Sequence, residues 1–177
     1  MSEGSGSGES TKGVGRGMIF AAWLLLLGML AFGFDSILDW QMNPNTRPEG
    51  STDAQGVPEV TLRRNRAGHY VANGRINGQT VTFLLDTGAT DVAVPRELAA
   101  RLGLEKGYAS RSRTANGVVT TWRTMLDEVG IGPVRLQGIR ASILPSMPGN
   151  EVLLGMSFLK RLELVQKGES LTLRQPR

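Results

Sequence analysis

Two rhythms of apolar residues divide the chain, and the change between them comes early. Met18 to Phe34 is a run of 17 residues without a charge, including Leu24 to Leu27 in succession. Such a run lacks the polar face of an amphipathic helix and sits at the lower limit for a membrane span. Beyond about residue 68 the period becomes two, as in half-buried strands. His69 to Ile76 and Gln79 to Leu85 read as a hairpin, because Asn77-Gly78 suits the positive φ angles of a type I′ turn. After Val92-Ala93-Val94, Pro95 opens a short helix through Leu102, with Leu98 and Leu102 on one face and Gly103 as its stop. Tyr108 to Thr114 and Gly117 to Leu126 predict a longer hairpin around Ala115-Asn116. Strands are predicted at Glu128 to Ile131, Val134 to Gln137 and Ile139 to Leu144, with Gly132-Pro133 and Pro145 as punctuation. Met156 to Leu162 reads as a second short helix with Phe158, Leu159 and Leu162 inward, and the last strands hold Leu164-Val165 and Leu171 to Leu173.

Composition divides the chain into four parts. Residues 1–17 are Gly/Ser-rich and lack core-forming side chains, which predicts a disordered tail. Residues 18–40 predict a transmembrane anchor, with Trp23 and Trp40 near the interfaces. A cleaved signal peptide is the rival reading, since Ala31-Phe32-Gly33 imitates a cleavage site, but the apolar run is longer than such segments usually carry. Lys12 and Arg16 before the run and Asp35 and Asp39 after it place the tail in the cytoplasm and the rest outside, in a bacterium the periplasm. Residues 41–59, rich in Pro, Gly, Asn and Ser, predict a linker, and residues 60–177 one globular domain.

Charge and cysteine content narrow the chemistry. From Val60 to Arg177 there are 17 Lys/Arg against 9 Asp/Glu, but the bases are scattered singly along strands with no aromatic stacking platform, which argues against nucleic acid. A solvated basic surface, drawn to anionic lipid nearby, is the plainer account. With no cysteine and His69 as the lone histidine, the chain offers no thiol chemistry, and neither metal nor cofactor is implied.

The residue combination that points to chemistry is Asp86-Thr87-Gly88, ending the apolar stretch Val81-Thr82-Phe83-Leu84-Leu85. A carboxyl group there loses hydration, so it calls for a hydrogen-bond donor, a charged partner or a catalytic use. Thr87 can brace the loop through its hydroxyl, and Gly88 lets another backbone or a ligand come close. Val152-Leu153-Leu154-Gly155 follows later in the chain as a second apolar strand ending in glycine.

With these segments, together with Gly74 to Gly78, Thr114 to Gly117 and Leu154 to Leu159, the chain from about His69 to Leu173 resembles the retropepsin-like aspartic proteases, and more closely their bacterial membrane-anchored branch. The resemblance implies a mainly β fold: a single-lobe closed β-barrel with two short helices, acting as a homodimer behind one N-terminal transmembrane helix. It implies Asp86 as the catalytic acid of an endopeptidase, Thr87, Gly88 and Ala89 as its active-site loop, Ala115, Asn116 and Gly117 near the tip of a flap over a peptide substrate, and Leu154 and Gly155 as loop support. Proton sharing needs two carboxyl groups, the chain has one Asp-Thr-Gly, and a two-fold homodimer would bring Asp86 of each subunit together. Asp91 is the in-chain rival and reads as a turn or surface residue. His69 reads as a surface or packing residue, and Met125, Met147 and Met156 as core or subsite wall. Ala89 stands where many relatives carry a hydroxyl that bonds the carboxylate, which implies an optimum in mildly acidic solution. The competing function is a non-proteolytic module of the same fold that dimerises or binds peptides.

Overall fold

Asn77 and Gly78 both have positive φ, 49° and 80°, and the strands they join pair with Ile76 opposite Gln79. The structure is a computed structural model that describes residues 17–30, 41–53, 55–114 and 117–176. It divides into two units, Met1–Asp39 and Trp40–Arg177. The first contains helix α1 (residues 17–30), whose apolar side chains, Phe20, Trp23 and Leu25 among them, are exposed. No helix among the described residues is long and apolar enough to cross a membrane. The end of the expected span, Ala31 to Phe34, lies outside the described residues, as do Trp40 and the flanking charges Lys12, Arg16, Asp35 and Asp39.

The second unit runs β1 (Gly50–Thr52), β2 (Pro58–Arg63), β3 (Val71–Ile76), β4 (Gln79–Leu85), β5 (Val92–Pro95), α2 (Arg96–Arg101), β6 (Ala109–Thr114) and β7 (Gly117–Ile131). It continues with β8 (Val134–Leu144), β9 (Glu151–Leu154), α3 (Met156–Leu159), β10 (Glu163–Lys167) and β11 (Ser170–Arg174). A four-stranded sheet has the order β1-β2-β11-β10, and a seven-stranded sheet the order β3-β4-β9-β5-β8-β7-β6. Strand β3 also meets β7, Ile76 lying opposite Val129. Alternation buries one side of strands such as β4 and β8, whereas β5 is buried throughout and β1 and β10 are exposed throughout. Ile76, Phe83, Leu126, Ile139, Ile143 and Leu154 are inaccessible to solvent, and Phe158 of α3 packs into the same core. The expected mainly β fold with few helices is what the chain forms.

Two differences from the pattern-based expectation have physical causes. Glu128 to Ile131 continues the strand expected from Gly117 to Leu126 as β7, and the two strands expected between Val134 and Leu144 are one, β8. In β8 the buried positions are Val134 and Leu136, then Ile139, Ala141 and Ile143, so the inward phase slips by one at Gly138, whose φ of 63° suits glycine. Asp127 faces Gly138, between the pairs Leu126–Ile139 and Glu128–Gln137, so the slip occurs in both strands without loss of register. A period of two read on the sequence breaks there, and the strands look separate.

The second difference concerns the stretch expected as linker. There β1 pairs with β2, and Asn45 is 6% exposed. Its side-chain Nδ2 donates to the carbonyls of Arg63 (2.9 Å) and Val71 (2.7 Å), its Oδ1 accepts from the Arg63 N–H (2.8 Å), and its backbone carbonyl accepts from the Asn73 N–H (3.0 Å). One asparagine thus satisfies the end of β2 and the start of β3. A polar, Pro-rich composition conceals this because the stabilising term is hydrogen bonding to backbone rather than apolar burial.

Candidate active site

Strand β4 ends by delivering Asp86, and the neighbouring parallel strand β9 ends beside it, with Leu85 opposite Leu154. The Asp86 N–H donates to the Leu154 carbonyl at 3.2 Å, which ties the start of the Asp-Thr-Gly turn to β9. Within the turn the Gly88 N–H donates to Asp86 Oδ1 at 2.8 Å, and the Ala89 N–H to the Asp86 carbonyl at 3.2 Å. The Gly88 N–H fixes one carboxylate oxygen. The other takes no hydrogen bond from the described residues.

The support behind the loop comes from Gly155 and the residues after it. A Cβ on Gly155 would lie 2.3 Å from the Asp91 carbonyl oxygen and 2.7 Å from that of Ala89. Beyond it, the N–H groups of Met156 and Ser157 donate to the carbonyls of Ala89 (2.8 Å) and Thr90 (2.9 Å). Ser157, buried, accepts the Val92 N–H on its Oγ (3.0 Å) and donates to the Arg140 carbonyl (2.8 Å). The loop that follows Asp86 is thereby held from behind by backbone and by one hydroxyl.

In front of the loop lies an open cleft of about 700 Å³. The Asp86 turn forms one side, the hairpin of β6 and β7 another, and Leu144, Met147 and Leu153 supply apolar wall. Asp86 is half-buried, whereas Thr87 and Gly88 are exposed, and the Thr87 hydroxyl has no hydrogen bond among the described residues. Asp91, expected as a turn or surface residue, instead lines the same cleft with 19% of its side chain exposed. Its Oδ1 is 3.4 Å from Arg140 Nη2, an ion pair without hydrogen-bond geometry.

The other predicted residues are spread more widely. Gly117 starts β7 with φ 105°, while Ala115 and Asn116 lie outside the described residues. The hairpin's cleft wall is built lower down, from residues 110–113 and Arg123. Leu154 is buried in the core. Among the methionines, Met147 lines the cleft and Met156 packs on the core, but Met125 is 55% exposed and is neither core nor wall. His69 is exposed, and the described residues contain no cluster of His, Asp or Glu side chains suited to hold a metal ion.

The family described as "gag-polyprotein putative aspartyl protease" matches residues 72–161, which include the Asp86 turn, the hairpin and Gly155. The chain also resembles the crystal structure of a retropepsin-like aspartic protease from Rickettsia conorii, with a TM-score of 0.59 and 32% identity, over 72% of this chain and 96% of that one. The chain belongs to the retropepsin-like aspartic protease family. An uncharacterized protein from the region 5′ of cobV in a Sinorhizobium species is 35% identical over 118 residues, and an uncharacterized protein of Rickettsia prowazekii is 32% identical over 111. These alignments take in 65% and 60% of this chain, and the chain spans about half the length of both relatives, 51% and 47%.

Several residues of this retropepsin-like site escaped the sequence reading. Ser157 carried a usable signal, since a small hydroxyl two residues beyond Leu154-Gly155 can bond backbone without filling space. Arg140 and the cleft arginines Arg111, Arg113 and Arg123 carried none, because an arginine in an alternating strand looks like any solvated one.

Proposed function

We propose that this chain is a membrane-anchored aspartic endopeptidase whose catalytic dyad is formed by Asp86 of two subunits. The supporting observation is the single Asp-Thr-Gly turn, held from behind by Gly155 and opening on a cleft. Among the described residues the other carboxylate lining that cleft, Asp91, is already paired with Arg140. In a two-fold dimer the exposed Thr87 hydroxyl would bond across to the partner loop, and exposed Gly88 would let the loops approach. One ionised Asp86 then takes a proton from water as the water oxygen bonds the peptide carbonyl carbon, while the other, protonated, gives its proton to the carbonyl oxygen. Collapse of the resulting diol breaks the C–N bond: the first Asp86 gives the leaving nitrogen the proton it took from water, and the second, now ionised, takes one from a diol hydroxyl. The β6–β7 hairpin would hold the extended peptide by strand-like hydrogen bonds, with Ala115, Asn116 and Gly117 near its tip.

The anchor is part of this proposal and rests on the uncharged run from Met18 to Phe34, with Lys12 and Arg16 on its cytoplasmic side and the protease domain in the periplasm. Tethering to one membrane raises the effective concentration of subunits. The deciding experiment incubates the full chain and Asp86→Asn with a peptide library. Wild type should cleave, the variant should be at least about 100-fold slower, and the wild-type specific activity should rise with protein concentration. Cleavage by purified Asp86→Asn at the wild-type rate would sink the assignment, and full activity of a strictly monomeric chain would sink the shared dyad.

A further inference from the structure

The cleft in front of Asp86 is cationic on its flap side. Arg111 and Arg113 of β6 and Arg123 of β7 all line it. From Gly107 to Leu126, which takes in all of β6 and the part of β7 paired with it, the sequence contains no Asp or Glu. Among the described residues, the ion pairs involve Arg135, Arg140 and Arg174, and none uses these three arginines. The Arg123 guanidinium carbon lies 5.4 Å from the centroid of the Tyr108 ring. Stacking of that kind holds the cation in place while leaving its in-plane N–H donors free for an anion. Among the described residues two carboxylates, Asp86 and Asp91, also line the cleft, and Arg140 already pairs with Asp91.

We infer that this cleft selects acidic peptides, with Arg111, Arg113 and Arg123 binding Asp or Glu side chains that flank the cleaved bond. The inference rests on the endopeptidase reading and supplies its substrate class. By register Arg111 and Arg113 share one face of the hairpin, and Arg123, opposite Tyr108, lies on the other. Carboxylates two residues apart in an extended peptide can therefore meet Arg111 and Arg113, and one of opposite phase can meet Arg123. Arginine offers forked donors matched to a carboxylate. Within a partly enclosed cleft the attraction is screened less than on open surface. A neutral peptide would gain none of this, and a lysine-rich one would meet like charge. The apolar wall of Leu144, Met147 and Leu153 then accommodates the side chains between the acidic ones. Attraction of the same arginines to anionic lipid is the rival use. The peptide is favoured because all three residues line the cleft that holds Asp86.

The test digests a peptide library with the full chain, maps a cleavage site, and compares matched peptides differing only by Glu or Gln at positions around that bond. Glu should raise kcat/KM on the order of tenfold at low salt, and the advantage should shrink as salt is added. Arg111→Gln, Arg113→Gln and Arg123→Gln, singly and together, should bring the Glu/Gln ratio toward one, and Arg113→Glu should shift preference toward Lys. The ratio reads selectivity independently of how much enzyme is folded, and the wild-type salt dependence needs no variant. Cleavage with equal rates for Glu and Gln peptides overturns the acidic preference and leaves the endopeptidase standing. If nothing is cleaved, the endopeptidase reading fails. Library peptides remade in pairs that differ only by Glu or Gln then serve as fluorescent ligands: Glu-selective binding lost with the arginines supports the cleft's preference, and equal binding overturns it. Phosphatidylglycerol vesicles form the last arm, where loss of binding in the triple variant with an unchanged Glu/Gln ratio assigns the arginines to lipid and overturns the inference.

Discussion

Gly155 sits so near Asp91 that a Cβ on it would come within 2.3 Å of the Asp91 carbonyl oxygen. Its φ of −87° is open to any residue, so space rather than backbone freedom demands glycine here. Because the obstacle is backbone, it cannot swing aside as a side chain would.

Gly155→Ala should therefore push the loop after Asp86 forward, destabilise the domain by about 1–3 kcal/mol and lower proteolytic activity more than the loss of folded protein explains. Thermal unfolding beside active-site titration separates the two effects. A variant with wild-type midpoint and rate would mean that the loop yields freely.

Ser157→Ala removes one hydroxyl and strands two backbone groups, the Val92 N–H and the Arg140 carbonyl. Leaving buried groups unpaired costs about 1–3 kcal/mol, to be read from urea unfolding. Ser157→Thr keeps the hydroxyl but adds a methyl in a buried site, so it should fall between wild type and alanine.

Asp91→Asn tests whether the cleft's second carboxylate takes part in proton transfer. Its ion pair with Arg140 is 55% exposed on the arginine side, so stability should change by less than about 1 kcal/mol. Activity should fall far less than in Asp86→Asn. Equal loss in the two variants would place the dyad within one chain.

Ala89→Ser introduces a hydroxyl into the turn next to Gly88. If it bonds the ionised form of the Asp86 carboxyl it favours that form, and the active, singly protonated pair then persists to lower pH. The acid limb of the pH–rate profile should move downward. An unchanged profile from a folded, active variant would show that position 89 does not reach the carboxylate.

Much of this arrangement was legible because local signals agreed with the fold. Asn77-Gly78 set the first hairpin, the phase of Val81, Phe83 and Leu85 set β4, and Leu153-Leu154-Gly155 marked the strand that ends beside Asp86. What escaped was non-local. The burial phase slips between Asp127 and Gly138 across two strands at once, so each strand alone looks broken. Asn45 is buried by three distant backbone groups that no window of sequence contains. The hairpin arginines gain meaning only once folding sets them across the cleft from Asp86.

The hydrogen bonds of Asn45 also decide where the protease domain physically begins. A fragment started at residue 60, where composition suggests a boundary, would leave the Arg63 N–H and carbonyl and the Val71 carbonyl without their amide partner. Those groups lie one strand away from Asp86, because the Leu85 N–H donates to the carbonyl of Tyr70, the residue before Val71. Trimming the polar arm therefore loosens the edge from which the strand carrying Asp86 hangs. A preparation meant for kinetics should begin no later than Gln41.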